Sequence, residues 1–313
     1  MPARTLFAVG AIGGLVKEIQ QALIASGCDL QNADRIYGQG TLNAVKRFQT
    51  TNSLPANGVV DEATWQILMQ RPVPPIGERC LQLTAAFEGH GFELAIGNFD
   101  GALLTWGIIG FTLISGEVQS IVQAVNSAHP ELVQQTFGDN KDELLRLMSA
   151  PLAVQKQWAN AHTVRKGSLA EPWRSLFASF GSLPEVQAEQ LKHVQKDYLN
   201  PAINTANKVG FTSELGLALS FDIHVQNGGL KSAVLKSILE SKSGMPEPEL
   251  RKLVANAAAD SAKATWREDV RSRKLTLATG EGVAHGHKYT LENWGLSGDF
   301  AAAELGPNEA AAA

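Results

Sequence analysis

The sequence predicts a mainly α protein in two parts, a small N-terminal helical bundle and a larger helical domain with a small β element. Three observations lead there. Apolar residues recur at helical spacing over most of the 313 residues. A proline-rich break, Arg71 to Gly77 (RPVPPIG), cuts the chain once. Strand-like pieces are confined to Ala95–Ile109 and Lys274–Ala278. With 44% hydrophobic and 19% charged residues the chain has the composition of a folded protein rather than a disordered one.

In the first part, Leu15, Ile19, Leu23 and Ile24 trace one helical face. A second helix is expected from Gly40 to Thr50, with Ala44, Val45 and Phe48 inward. A third starts near Glu62 and carries Ala63, Trp65, Ile67 and Leu68. Asp61 is its expected N-cap, since a carboxylate there accepts from first-turn amides, and Asn57-Gly58 supplies the turn before it. The apolar stretch Leu6–Val16 is broken by Gly10, Gly13 and Gly14 and is followed by no small-residue cleavage site. It is read as running into the first helix, not as a secretory signal, so synthesis in the cytoplasm is expected.

The expected boundaries are 1–70 for the bundle, 71–77 for the linker, 78–300 for the second domain and 301–313 (AAAELGPNEAAAA) for a frayed, low-complexity tail. The second domain opens with a helix, Glu78–Phe87, then a Gly-rich segment to about Gly110. Further helices are expected at Gly116–Ser127, Asp142–Leu147, Glu185–Tyr198, Thr212–Gln226 and Glu247–Arg273.

Bulk properties exclude several classes. Net charge is −4, divided as +1 through Ile76 and −5 beyond it, so there is no basic footprint for nucleic acid. No apolar run reaches the roughly 18 residues of a membrane helix, so no membrane insertion is expected. Cys28 and Cys80 fall in different parts, form no CxxC, and are read as reduced and structural. His90, His285 and His287 make a weak metal pattern that a Gly-rich loop (GEGVAHG) explains, so neither metal nor cofactor is expected. Two self-contained parts suggest a monomer.

The run VKEIQQALIASG, followed by DRIYGQGTLNAVKRFQTTNSLPANGVVDEATWQIL, resembles the peptidoglycan-binding domain of wall hydrolases. Gln20, Asp34, Tyr37, Gly38, Thr41, Ala44, Val45, Phe48, Gln49, Gly58, Val59, Thr64 and Trp65 match its pattern. Arg35 and Asn57 replace its usual Gly and Asp. The resemblance implies bacterial peptidoglycan as partner. Phe48 and Trp65 read as core, Thr41 as a helix cap. Asp34, Tyr37 and Gln49 are the candidates to line a wall-binding groove, with satisfied turn contacts as the alternative.

The chemistry is expected in FEGHGFELAIGNFDGALLTWGIIGF, Phe87 to Phe111. A glycosidase needs two carboxyl groups in different settings, one protonated to supply the leaving oxygen and one ionised. Glu88, at the end of an apolar helix beside Phe87, is placed for a pKa raised by desolvation. Asp100, in a turn beside Gly101, is placed to stay solvated and charged. Asp100-Gly101-Ala102-Leu103-Leu104-Thr105-Trp106-Gly107-Ile108-Ile109-Gly110-Phe111 resembles the D-G-x-G-x-T-x-G-I-I-G-F of family 46 glycoside hydrolases, the chitosanases, which have a lysozyme-like fold. The resemblance implies Glu88 as general acid, Asp100 as base and Thr105 as a holder of the attacking water. It also sets Ala218–Gly228 (ALSFDIHVQNG) beside that family's central buried helix, with Asp222 organising the fold or cleft. Gln226 and Asn227 are candidates for binding sugar amides. Trp106 reads as a sugar-stacking ring or as core. The cluster Arg267, Arg271, Arg273 and Lys274 is read as a solvated face, with a pairing to Asp222 or a contact with substrate carboxylates as the alternatives.

Two departures from the chitosanase motif bear on substrate. Ala-Leu-Leu replaces Gly-Arg-Gly-Tyr after the first Asp-Gly, removing a cation, and the Glu-to-Asp spacing is shorter. With the wall-binding resemblance they imply a muramidase that cleaves the β-1,4 bond after N-acetylmuramic acid at the bacterial wall, by inversion if the chitosanase geometry holds. A lytic transglycosylase, a chitosanase and a non-catalytic wall-binding protein are the alternatives. A phage endolysin, a secreted effector and a prophage product all suit this layout.

Overall fold

A computed structural model describes residues 4–89 and 91–302. His90 and residues 303–313, most of the expected tail, lie outside the described residues. The protein is mainly α with only short sheets. Its chain gathers into two compact units. One holds the described residues through Phe87 together with those from Tyr198 onward; the other runs Glu88–Asp197.

The first unit begins with strand β1 (Thr5–Phe7) and helices α1 (Gly14–Ala25) and α2 (Gln39–Thr51). Strand β2 (Val60–Asp61), helix α3 (Glu62–Met69) and helix α4 (Ile76–Glu88) follow. The expected helices are present, and Asp61 caps α3 by accepting from Thr64 N at 2.8 Å. The Leu6–Val16 segment departs from expectation. Thr5–Phe7 pairs antiparallel with β2, and the chain then turns at Gly10 and Gly13, whose φ values of 102° and 129° suit only glycine, before α1 begins. Phe7 and Trp65 stack at 5.8 Å in the bundle core. The proline-rich segment is tied down, since Trp65 Nε1 donates to Arg71 O (3.2 Å) and Pro72 O (3.0 Å).

In the second unit β3 (Ala95–Ile96), β4 (Thr105–Trp106) and β5 (Phe111–Thr112) form one antiparallel sheet, the expected β element. Helices α5 (Glu117–Ala128), α6 (Pro130–Phe137), α7 (Lys141–Ser149), α8 (Leu152–Ala161), α9 (Trp173–Gly181) and α10 (Pro184–Val194) complete it. Phe137, Trp158, Trp173, Phe177 and Phe180 build its aromatic core.

The chain returns through a π-helical turn (Gln195–Leu199) to α11 (Asn200–Val209). Then come α12 (Glu214–Asn227), α13 (Ser232–Ser241), α14 (Glu247–Asp260) and α15 (Arg267–Thr279), and the hairpin of β6 (Glu281–Ala284) and β7 (His287–Thr290). Helix α12 is buried at every position from Glu214 to Ile223, so it carries no apolar stripe and is the central helix of this unit. Two expectations are corrected. Glu247–Arg273 is not one helix but two, α14 and α15, separated at Ser261–Lys263. Lys274–Ala278 is helical, and the strands lie just after it, the first of them inside the GEGVAHG segment read as a loop. Ala301 pairs with Ser213, and Ala302 N donates to Thr212 O at 2.7 Å, so the first two residues of the expected tail are ordered.

The N-terminal bundle and the returning helices pack within the one unit. Arg79 of α4 is buried against Glu214 of α12, with Nη2 to Oε1 at 3.0 Å. Arg4 also pairs with Glu214, and Trp294 Nε1 donates to Ile12 O at 3.2 Å. Neither Cys28 nor Cys80 is in a disulfide.

Candidate functional site

Glu88 is half-buried and is the last residue of α4. Asp100 is exposed in the turn between β3 and β4. Its Oδ1 accepts from Ala102 N at 3.1 Å, a local side-chain-to-backbone turn that presents the carboxylate to solvent. Thr105 is half-buried at the start of β4, opposite Ile96 and Thr112. Glu88, Asp100 and Thr105 therefore belong to the same compact unit.

The Asp100 turn is held by residues that sequence reasoning passed over. Asn98 N donates to Thr163 Oγ1 (2.8 Å), its Nδ2 donates to Asn160 Oδ1 (2.9 Å), and its Oδ1 accepts from Leu103 N (3.2 Å). A Cβ on Gly97 would lie 2.6 Å from Thr163 Oγ1 and 3.0 Å from Gly167 O, so only glycine allows this approach. Buried Leu103 sits at φ 70°, at the position where the chitosanase motif has glycine, and the Asn98 contact helps hold that strained backbone. Downstream, Gln190 is fully buried and takes Ile108 N on its Oε1 at 3.0 Å. That oxygen would be 2.5 Å from a Cβ on Gly107, which explains the glycine in TWGIIG.

Trp106 is not a sugar-stacking ring. It has no exposed surface, its Nε1 donates to Phe177 O at 3.0 Å, and it stacks on Phe180 at 5.7 Å. Its indole anchors β4 to α9 instead. Glu117, the first residue of α5, caps the β5 turn by accepting from Thr112 N (3.0 Å) and Ser115 Oγ (2.6 Å).

Asp222, Gln226 and Asn227 lie on α12 in the other unit. Asp222 is fully buried and is not a substrate contact. Arg273 grips it, with Nη2 to Oδ1 at 2.6 Å and Nε 3.1 Å from both oxygens, and Lys274 Nζ binds Oδ2. Thr84 Oγ1 approaches Oδ1 at 3.3 Å. Burial alone would raise the Asp222 pKa, but the Arg273 and Lys274 charges outweigh it and hold the carboxyl down at about 2. Arg273 and Lys274, expected on a solvated face, are buried partners of Asp222. They lie one helical face away from Arg271, which pairs with Asp260 and Glu268 on the surface. The Arg273 guanidinium also lies 4.9 Å from the Phe87 ring centre. Gln226 Oε1 accepts from Lys274 Nζ at 2.7 Å. Asn227 Oδ1 is buried and takes no hydrogen bond among the described residues. His285, in the β6–β7 turn, has Nδ1 3.2 Å from Asp269.

In the N-terminal bundle two of the three wall-binding candidates are structural. Tyr37 is fully buried and donates its hydroxyl to Gly58 O at 2.9 Å, and burial pushes its pKa well up. Gln49 is 1% exposed. Its Nε2 reaches Val59 O (2.8 Å) and Thr64 Oγ1 (3.1 Å), and its Oε1 takes Gly58 N (2.9 Å). Gln49 thus pins the 57–64 turn to α2. Asp34 alone is exposed. Its Oδ1 accepts from Gln20 Nε2 (2.8 Å) and Ile36 N (2.9 Å), bonds that lower its pKa. With Gln20, Gln31, Asn32 and Thr41 it lines a groove of about 340 Å³. Gln49→Ala strands the Gly58 amide and should destabilise the unit by about 2 kcal/mol. Calorimetry of the full chain checks this, and peptidoglycan pull-down well below the melting point should be unchanged.

Residues 13–68 match the family model of a putative peptidoglycan binding domain. A Bacillus subtilis MY002 chitosanase complexed with 6 GlcN superposes with a TM-score of 0.52 at 18% identity, over 69% of this chain and 95% of the chitosanase. A second chitosanase complex structure superposes with a TM-score of 0.51 at 19% identity, over 68% of this chain and 95% of that one. Residues 13–68 are thus similar to a peptidoglycan-binding domain, and more than two thirds of the chain shares a helical fold with the chitosanases.

Proposed function

We propose that the protein is a peptidoglycan hydrolase that cleaves the β-1,4 bond between N-acetylmuramic acid and N-acetylglucosamine, working at the bacterial wall. The observation that carries this reading is a peptidoglycan-binding domain in one chain with a chitosanase-like fold. Glu88 is the general acid that protonates the leaving oxygen. Asp100 is the base, its exposed carboxylate free to take a proton from water. Thr105, two residues from the buried Leu103, helps hold that water. The acid and the base stand in the unequal settings this chemistry requires, one half-buried at a helix end and one solvated in a turn. Asn227 Oδ1, lacking a partner among the described residues, suits a sugar amide. Asp34 and its groove suit a polar part of the wall polymer.

Mass spectrometry of purified peptidoglycan digested with wild type and with Glu88→Gln tests the reading. Disaccharide-peptides with reducible N-acetylmuramic ends, lost in the variant, are expected. Anhydro-muramic ends would mean that the substrate's own hydroxyl attacks, as in a transglycosylase. An absence of wild-type products, with turnover of chitosan instead, would move the substrate to that polymer.

A further inference from the structure

The residue next to Asp100 is anomalous. Phe99 is 75% exposed, while the other aromatic rings of this unit, apart from half-buried Phe92, collect in its core. A large apolar ring held in water has a free-energy cost, and it is placed here on the same tight turn as the exposed carboxylate. The turn is not loose. Asn98 fastens it to Thr163 and Asn160, Gly97 lets it lie against 163–168, and Ile96 bridges Ser168. Thr163–Leu169 is itself a small hairpin, with Val164 N donating to Ser168 O at 2.8 Å. Phe99 rests on that hairpin at Gly167, where a side-chain Cβ would come within 2.7 Å of Phe99 Cβ. A glycine there gives the ring one supported face and leaves the other open. The two residues before this glycine, Arg165 and Lys166, are both exposed. Lys166 is held at φ 61°, a backbone that a side chain adopts only under constraint.

We propose that Phe99 is a platform on which a sugar ring stacks beside Asp100, and that Arg165 and Lys166 select glycans bearing carboxylates. This inference rests on the peptidoglycan reading and names what decides its substrate. A pyranose presents an apolar C–H face to an aromatic ring. Muramic acid adds a lactyl carboxylate, or a peptide carried on it, within reach of a neighbouring cation. A polyglucosamine would bring ammonium groups towards Arg165 and Lys166 and be repelled. The same two cations therefore favour an acidic glycan and disfavour a polycationic one.

The test uses the full chain and steady-state kinetics on soluble peptidoglycan glycan strands stripped of stem peptides, which keep the lactyl carboxylate. Phe99→Ala should raise KM about tenfold with kcat nearly unchanged, and Phe99→Trp should restore it. Arg165→Ala with Lys166→Ala should raise KM about fivefold at low salt, and the difference should vanish near 1 M salt, where the screening length is about 3 Å. A Phe99→Ala enzyme with unchanged KM, or one whose loss is all in kcat and is not rescued by Trp, overturns the platform. A double variant with wild-type KM at low salt overturns the charge selection. Wild type inactive on the strands would defeat the peptidoglycan reading and this inference together, whereas an active wild type with indifferent variants defeats the inference alone.

Discussion

Asp222→Asn should lower the melting temperature by roughly 10 °C. Asp222 is bonded to two buried cations, Arg273 and Lys274, which are 1% and 0% exposed. An amide keeps the volume but removes the charge. Two cations then stay buried against a dipole, and uncompensated buried charge costs about 3–5 kcal/mol. Replacing the cluster together, Asp222→Leu with Arg273→Met and Lys274→Met, should cost less than Asp222→Asn alone, because no charge is left without a partner. Differential scanning calorimetry of the three proteins decides it. A single variant as stable as wild type would mean that water reaches the cluster. The pH dependence follows from the same geometry. The folded pKa of Asp222 is depressed to about 2, below its ordinary 3.8. Its contribution is therefore fully present above about pH 4 and is lost as pH falls through the folded value. Acid unfolding of wild type should steepen in that window, and in Asp222→Asn that part of the pH dependence should be absent.

The sequence showed helices better than it showed which polar residues face water. Periodicity located α1 to α3 and the Asp61 cap because apolar stripes and first-turn acceptors are local features. It misplaced the end of α14 because Ser261–Lys263 contains neither Gly nor Pro, the usual breakers. It took Lys274–Ala278 for a strand because Leu275, β-branched Thr276, Leu277 and Ala278 make a short run that periodicity alone cannot assign. Tyr37 and Gln49 looked like ligand residues because polar atoms in a motif invite that reading; their partners, Gly58 and Val59, are backbone groups that a sequence does not mark. Trp106 was open for the same reason, its partner being a carbonyl 71 residues away. Phe99 did leave a signal. A phenylalanine inside Gly-Asn-Phe-Asp-Gly stands where turn residues belong and where no apolar period accounts for it.

Asp100→Asn should lower kcat on peptidoglycan by about 10²–10⁴-fold with KM close to wild type, the range over which a general base contributes. Asn retains an oxygen that can accept from Ala102 N, so the turn that presents residue 100 survives, and Asn98 and Gly97 still fasten it to the 163–168 hairpin. What disappears is the charge that, in the proposed mechanism, draws a proton from water. Circular dichroism should be unchanged, which separates this loss from misfolding. If Asp100 delivers the water as proposed, wild-type products followed by NMR during the first turnovers should appear as the α anomer, because that water attacks the face opposite the leaving group. Inversion of this kind needs a gap of roughly 6.5–9.5 Å between the carboxyls, wide enough for that water. A β product would mean instead that Asp100 bonds to the sugar, and Asp100→Asn would then still fail. Undiminished turnover by Asp100→Asn, with anhydro-muramic ends from both proteins, would leave Glu88 as the one acid the reaction needs and remove water from the first step.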